Sequence, residues 1–143
     1  MKFAFLLLAA QAAAPIPAID GLPIGALPQQ ALPARGCAAY LFSTGTTRAL
    51  AAMATADPGT LRLSIDGKVI DLPRTGATGA ATLGLNAESV YRGGDMVATV
   101  QMTAEMRQNL TEGAAVPVAT LRLDREGRDT VVMPLAGLIG CAG

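Results

Sequence analysis

Thr60-Leu61-Arg62-Leu63-Ser64-Ile65-Asp66-Gly67-Lys68-Val69-Ile70-Asp71-Leu72-Pro73 decides the fold class. Leu61, Leu63 and Ile65 alternate with Arg62 and Ser64, and a period of two places the apolar set on one face of a strand. Asp66-Gly67 follows, a pair that tolerates the positive φ of a two-residue hairpin turn whose twist matches the flanking strands. Lys68 to Pro73 returns as the second strand, ended by a residue with no ladder donor. The expected hairpin turns Leu61, Leu63 and Ile65 to a core and Arg62 and Ser64 to water.

The same alternation recurs further along the chain. Asp95 to Met106, entered through Arg92-Gly93-Gly94, sets Met96, Ala98, Val100 and Met102 against Thr99, Gln101 and Thr103. Ala119 to Leu123, a charged turn through Glu126-Gly127-Arg128, and Thr130 to Leu135 suggest another hairpin, before Ile139 and Cys141 close the domain. Thr60-Leu61-Arg62-Leu63 recurs as Thr120-Leu121-Arg122-Leu123, which suits two similar halves, although alternating strands also produce such matches by chance. Met102, Met106 and Leu110 recur at a spacing of four, so a short helical turn competes with strand there. Asn109-Leu110-Thr111 fits a glycosylation acceptor, but the pattern is short and is read as chance. Thr75 to Leu85 is small and glycine-rich, in keeping with a mobile loop or a closely packed glycine strand, and it lacks a dinucleotide-binding fingerprint. The expected fold is all-β, an antiparallel β-sandwich or small β-barrel of about 7–9 short strands.

Cys37 and Cys141 are the only cysteines and lie near the ends of the expected domain. With no Cys-x-x-Cys spacing and no histidine in the chain, a disulfide joining the terminal strands is the expected use of the pair. Ahead of them, Met1-Lys2 and the apolar run from Phe3 to Leu8, followed by alanines, read as a secretory signal peptide over 1–12. Residues 13–35 form a proline- and alanine-rich segment, and prolines at 15, 17, 23, 28 and 33 oppose a regular helix or an internal strand. Its apolar residues Ile16, Ile19, Leu22, Ile24, Leu27 and Leu32 leave two readings: a disordered leader, or an arm packing on the domain or on another subunit. Residues 36–143 then make one β-domain.

Composition narrows the chemistry. The chain has 143 residues, 51% hydrophobic and 15% charged, with 11 basic and 11 acidic side chains and no histidine. Neutral balance and few aromatics give no electrostatic footprint for nucleic acid and no stacking platform. Missing histidine removes the commonest general base near neutral pH and the commonest zinc ligand. Ser43, Ser64 and Ser89 stand outside any nucleophile-elbow pattern. Carboxylate-only catalysis is the remote enzymatic alternative. Asp124, Glu126 and Asp129 are interleaved with Arg122, Arg125 and Arg128, which favours a solvated turn over a calcium site. No catalytic residue, metal or cofactor is therefore expected. No second apolar run reaches the roughly 18 residues of a transmembrane helix. The expectation is an exported structural or assembly protein that contacts itself or another exported protein.

The signal-like start, Leu32-Pro33-Ala34-Arg35-Gly36-Cys37, Ala56-Asp57-Pro58-Gly59-Thr60-Leu61-Arg62-Leu63 and Gly137-Leu138-Ile139-Gly140-Cys141-Ala142-Gly143 give a pattern over nearly the whole chain. In this pattern the chain resembles uncharacterised exported proteins of alphaproteobacteria. The resemblance implies a periplasmic or extracellular bacterial location and no particular activity. In size, β content and terminal disulfide the chain is also similar to the small periplasmic lysozyme-inhibitor barrels, without an inhibitory-loop motif. That likeness implies a protein-binding or inhibitor module as the alternative role.

Overall fold

The structure, a computed structural model, describes residues 16–108, 110 and 113–142. Residues 1–12, read as a signal peptide, lie outside the described residues, as do Asn109 and Thr111 of the acceptor pattern. The strands are β1 (Ile24–Gly25), β2 (Cys37–Ser43), β3 (Leu50–Thr55), β4 (Thr60–Ile65), β5 (Lys68–Thr82), β6 (Leu85–Gly93), β7 (Met96–Glu105), β8 (Gly113–Arg125) and β9 (Val131–Cys141). From β2 to β9 each strand pairs antiparallel with its successor, and β9 pairs back with β2. The result is a closed eight-stranded up-and-down barrel with β1 as an extra strand on β4, and it decides between sandwich and barrel.

The hairpin at Asp66-Gly67 forms as its residues dictate. Asp66 and Gly67 have φ of 50° and 82°, and the ladder runs from Ile65 opposite Lys68 to Thr60 opposite Pro73. Leu61, Leu63 and Ile65 are buried as expected. Ser64 corrects the expectation of a water-facing serine: it is fully buried because β1 crosses it, with Gly25 as its pairing partner. A Cβ at Gly25 would lie 2.9 Å from the Pro17 carbonyl oxygen and 3.1 Å from Ser64 Oγ, so the crossing needs a residue without one.

One other expectation is corrected and one open choice is decided. Strand β5 does not stop near Pro73 but continues to Thr82, so the glycine-rich stretch is a strand, and an exposed one. At Met102, strand wins over the helical spacing: β7 runs to Glu105, Met102 packs inward beside β8, and Met106 is exposed outside any helix. Among the described residues no helix is long and apolar enough to cross a membrane.

Side chains fill the barrel. Leu41, Leu61, Leu63, Leu121, Leu123 and Tyr91 interleave with small residues such as Ala52, Ala54, Ala98 and Ala114. That alternation of large and small suits the confined interior of eight strands. The recurring hairpin segments, Thr60–Leu63 in β4 and Thr120–Leu123 in β8, lie four strands apart on opposite walls, and Leu61, Leu63, Leu121 and Leu123 all point inward.

The proline-rich segment is built into this barrel. Ile19 and Ile24 are fully buried in the main core, and Leu22 packs against it. Backbone bonds hold the crossing, from Asp66 N to the Pro23 oxygen (2.9 Å) and from Leu27 N to the Leu50 oxygen (2.7 Å). Beyond it Leu27 covers Ala38 and Met53 in a second, outer cluster with Tyr40 and Leu50. Tyr40 donates its hydroxyl to the Ala31 oxygen at 3.0 Å. The described part of the segment is thus no free leader, and Ile19, Ile24 and Leu27 are taken up by the chain's own domain. Ile16 is half-buried, and Leu32 is 56% exposed. Cys37 and Cys141 face each other across the β2–β9 ladder and form the expected disulfide.

Candidate functional site

Strand β9, Val-Val-Met-Pro-Leu-Ala-Gly-Leu-Ile-Gly-Cys, departs from the alternation of its neighbours. Val131, Met133, Leu135 and Ile139 point inward and are buried, as an interior strand requires. The residues between them, Val132, Pro134, Ala136, Leu138 and Gly140, face outward, and all are uncharged and apolar. A strand apolar on both faces has the composition of one covered on both sides.

The pairing register extends this face sideways. On β2, Tyr40 lies opposite Leu138 and Phe42 opposite Ala136. On β8, Ala115 lies opposite Leu138, and the irregularity between Val116 and Ala119 lifts Pro117 and Val118 outward. The wall is exposed: Val118 is 63% accessible, Val132 58%, Leu138 48% and Phe42 42%. Leu32 extends it from the proline-rich segment, its Cδ2 lying over Gly140. Charge begins only at the rim, where Arg122 pairs with Val132 in the ladder. Contiguous exposed apolar surface of this kind marks an interaction site.

The adjoining surface is polar. Glu88, Thr99, Gln101, Thr120, Arg122 and Asp124, with Val132 of the apolar wall at the edge, line a depression of about 460 Å³ across β6, β7, β8 and β9. A cleft of about 340 Å³ beside the proline-rich segment holds Arg35, Asp57, Arg62 and Asp71. Two of the carboxylates in these hollows, Asp71 and Asp124, are engaged by arginine. Arg62 binds Asp71 through Nε and Nη2 at 2.8 and 3.0 Å and Arg122 binds Asp124 at 3.0 Å, while outside both hollows Arg125 binds Asp66 at 2.8 Å. Hydrogen bonding from Arg62 holds the Asp71 carboxyl below its usual range, and Thr130 followed by Arg122 does the same for Asp124. A general acid needs a shift in the other direction.

At one barrel end Tyr91 and Ser89 are buried beside Arg74, the inward residue opposite Tyr91 on β5. Burial pushes the phenol pKa up, against the pull of Ser89 and Arg74. Among the described residues no group of three or more histidine, cysteine, aspartate or glutamate side chains is placed to hold a metal ion.

The Asp71 shift carries a pH prediction. A carboxyl whose pKa is depressed on folding contributes stability above its unfolded pKa and loses it as pH falls through the folded value. Both side chains are exposed by 40% or more, which limits the contribution to about 0–1 kcal/mol. Between neutral and acid pH the wild type should therefore lose more denaturant stability than Asp71→Asn, by less than about 1 kcal/mol, and the difference should shrink in concentrated salt. An equal loss in both proteins would remove the pair from the stability account.

Of the residues singled out in the sequence, the structure brings Cys37 and Cys141 together. It places Ile19, Leu22, Ile24 and Leu27 within or against buried clusters and leaves Leu32 on the apolar wall. Val132, Leu138, Phe42 and Val118 carry no recognised motif. The signal for them is the unbroken apolar run of β9, visible once its neighbours are seen to alternate. Compared with protein families, curated proteins and solved structures, the chain matches none.

Proposed function

We propose that this is an exported, non-enzymatic structural protein that assembles with copies of itself through the apolar outer wall of β2, β9 and β8. The observation that carries this reading is β9, whose outward residues are as apolar as its inward ones. A wall without charge is complemented by another wall without charge, and a second copy supplies one directly. Paired about a two-fold axis, Leu138 and Phe42 of each copy would lose their water contact together. The disulfide-bonded barrel fits an oxidising exported compartment. Within that setting the reading is a bacterial periplasmic or extracellular protein. A filled, disulfide-closed barrel is a rigid carrier for such a surface, and rigidity lowers the ordering cost of association.

The test is the pair Val132→Lys and Leu138→Lys, made together in the form lacking residues 1–12. Both side chains point away from the core, so the melting transition should stay close to that of the wild type. The solution mass at matched concentration should fall. A double variant that keeps the wild-type mass would exclude the wall as the assembly surface.

A further inference from the structure

The barrel end at the Asp66-Gly67 hairpin carries a hollow in its mouth. In the ladders Ile65 lies opposite Lys68 and Met96 opposite Arg125, and facing residues of paired strands share one side of the sheet. Ile65 is buried in the main core, and Ile70 and Met96 pack against it, so that side is the barrel interior. Lys68 and Arg125 therefore stand at the mouth on the inward face of β5 and β8. Together with Ile65, Ile70 and Met96 they line a space of about 350 Å³. Asp66, Asp95 and Arg128 complete the lining, one from each of three hairpin turns that meet at this end.

Arg125 is the unusual member of this set. Its side chain is 10% exposed, so a full positive charge is held nine-tenths out of water. Nη1 donates to Asp66 at 2.8 Å, but the Asp66 side chain is itself 57% exposed. Nε is buried and has no acceptor among the described residues. A buried donor without an acceptor costs free energy, and a charged one costs more than a neutral one. The charge is delocalised over the planar guanidinium, so an anion in the hollow compensates it without reaching Nε itself. Lys68 and Arg128 add two cations, and neither forms a salt bridge among the described residues. Three cations against the two carboxylates of Asp66 and Asp95 leave the lining with one net positive charge.

We propose that this mouth binds a small organic monoanion, with its apolar body on Ile65, Ile70 and Met96 and its charged group among Lys68, Arg125 and Arg128. A bare inorganic ion would leave the apolar floor unused, and a neutral apolar molecule would leave the cations uncompensated. A single negative charge matches the net charge of the lining. Barrel mouths are favoured places for ligands, and the space lies at the small end of the roughly 300–1,000 Å³ range of such sites, which restricts the ligand to a small one. The hollow lies between β4, β5, β7 and β8 and faces the interior, so the proposal stands apart from the self-assembly reading.

The test is methionine-methyl NMR on the form lacking residues 1–12, titrated at low salt with benzoate, a single ring bearing one carboxylate. The Met96 methyl, assigned with Met96→Leu, should shift to saturation, while the methyl of the exposed Met106 stays in place. Benzamide, the same ring without the charge, should give no saturating shift at Met96. In the double variant Lys68→Gln/Arg128→Gln the dissociation constant for benzoate should rise at least about tenfold, the scale of one lost charge-assisted hydrogen bond. Both positions are exposed, so the variant should melt with the wild type, and that match separates lost binding from lost fold. A Met96 methyl that stays unmoved at every benzoate concentration overturns the site. Equal binding of benzamide, or undiminished binding of benzoate to the double variant, overturns the selection for an anion and with it the proposal.

Discussion

Replacing Cys37 and Cys141 together by serine is expected to lower the unfolding free energy by about 4–5 kcal/mol, the loop-closure value for a cross-link enclosing a hundred or so residues. The bond spans 104 positions of sequence. It also sits on the one barrel ladder, β2 with β9, that joins strands not consecutive in the chain. Every other barrel ladder closes a turn or loop between sequence neighbours, so the entropy of bringing distant segments together concentrates at this seam. For a domain of ordinary stability the loss would be a third or more of the total. Urea titration of the wild type and the double-serine form, both in non-reducing buffer, checks it through the midpoint and the slope. A loss below about 1 kcal/mol would mean that the β2–β9 ladder holds the seam by itself.

The proline-rich segment gives the second large effect. Ile24→Ala should cost about 2–5 kcal/mol, the range for truncating a fully buried isoleucine whose surroundings close only partly over the gap. Deleting residues 16–34 should cost more, because Ile19 and Leu27 leave with Ile24, and Ser64 and Ile65 lose the backbone partner that β1 supplies. The sequence alone allows this deletion to leave an intact domain, since a leader or a tether can be cut away. In the structure the segment enters the core at Ile19 and crosses outward over Ser64, so its removal opens the barrel end. Thermal melts and hydrogen exchange on the β3 and β4 amides would show the loss. A deletion form that melts with the wild type would return the segment to the status of a tether.

How much was legible follows from which forces are local. The Asp66-Gly67 hairpin was readable because turn chemistry and strand alternation agree within fourteen residues, and Leu61, Leu63 and Ile65 needed no tertiary information. The Cys37–Cys141 bond followed from there being two cysteines and no competing chemistry. Ser64 was misplaced because its burial depends on Gly25, some forty positions earlier, whose lack of a side chain admits the crossing segment. Thr75 to Thr82 was ambiguous because glycine and alanine have weak β preference, and pairing with β6 overrides it. The choice between sandwich and barrel turned on whether β9 meets β2, a long-range fact that no local pattern encodes. The β9 wall was written in the sequence, but its meaning depends on knowing that the strand's second face looks outward.

The measurement closest to the central claim is the absolute mass of the wild-type form lacking residues 1–12, by light scattering across a range of concentrations in non-reducing buffer. A mass above one chain that rises with concentration is expected, because the β9 wall recruits another copy. A one-chain mass at every concentration, with Val132 and Leu138 left in water, would contradict it.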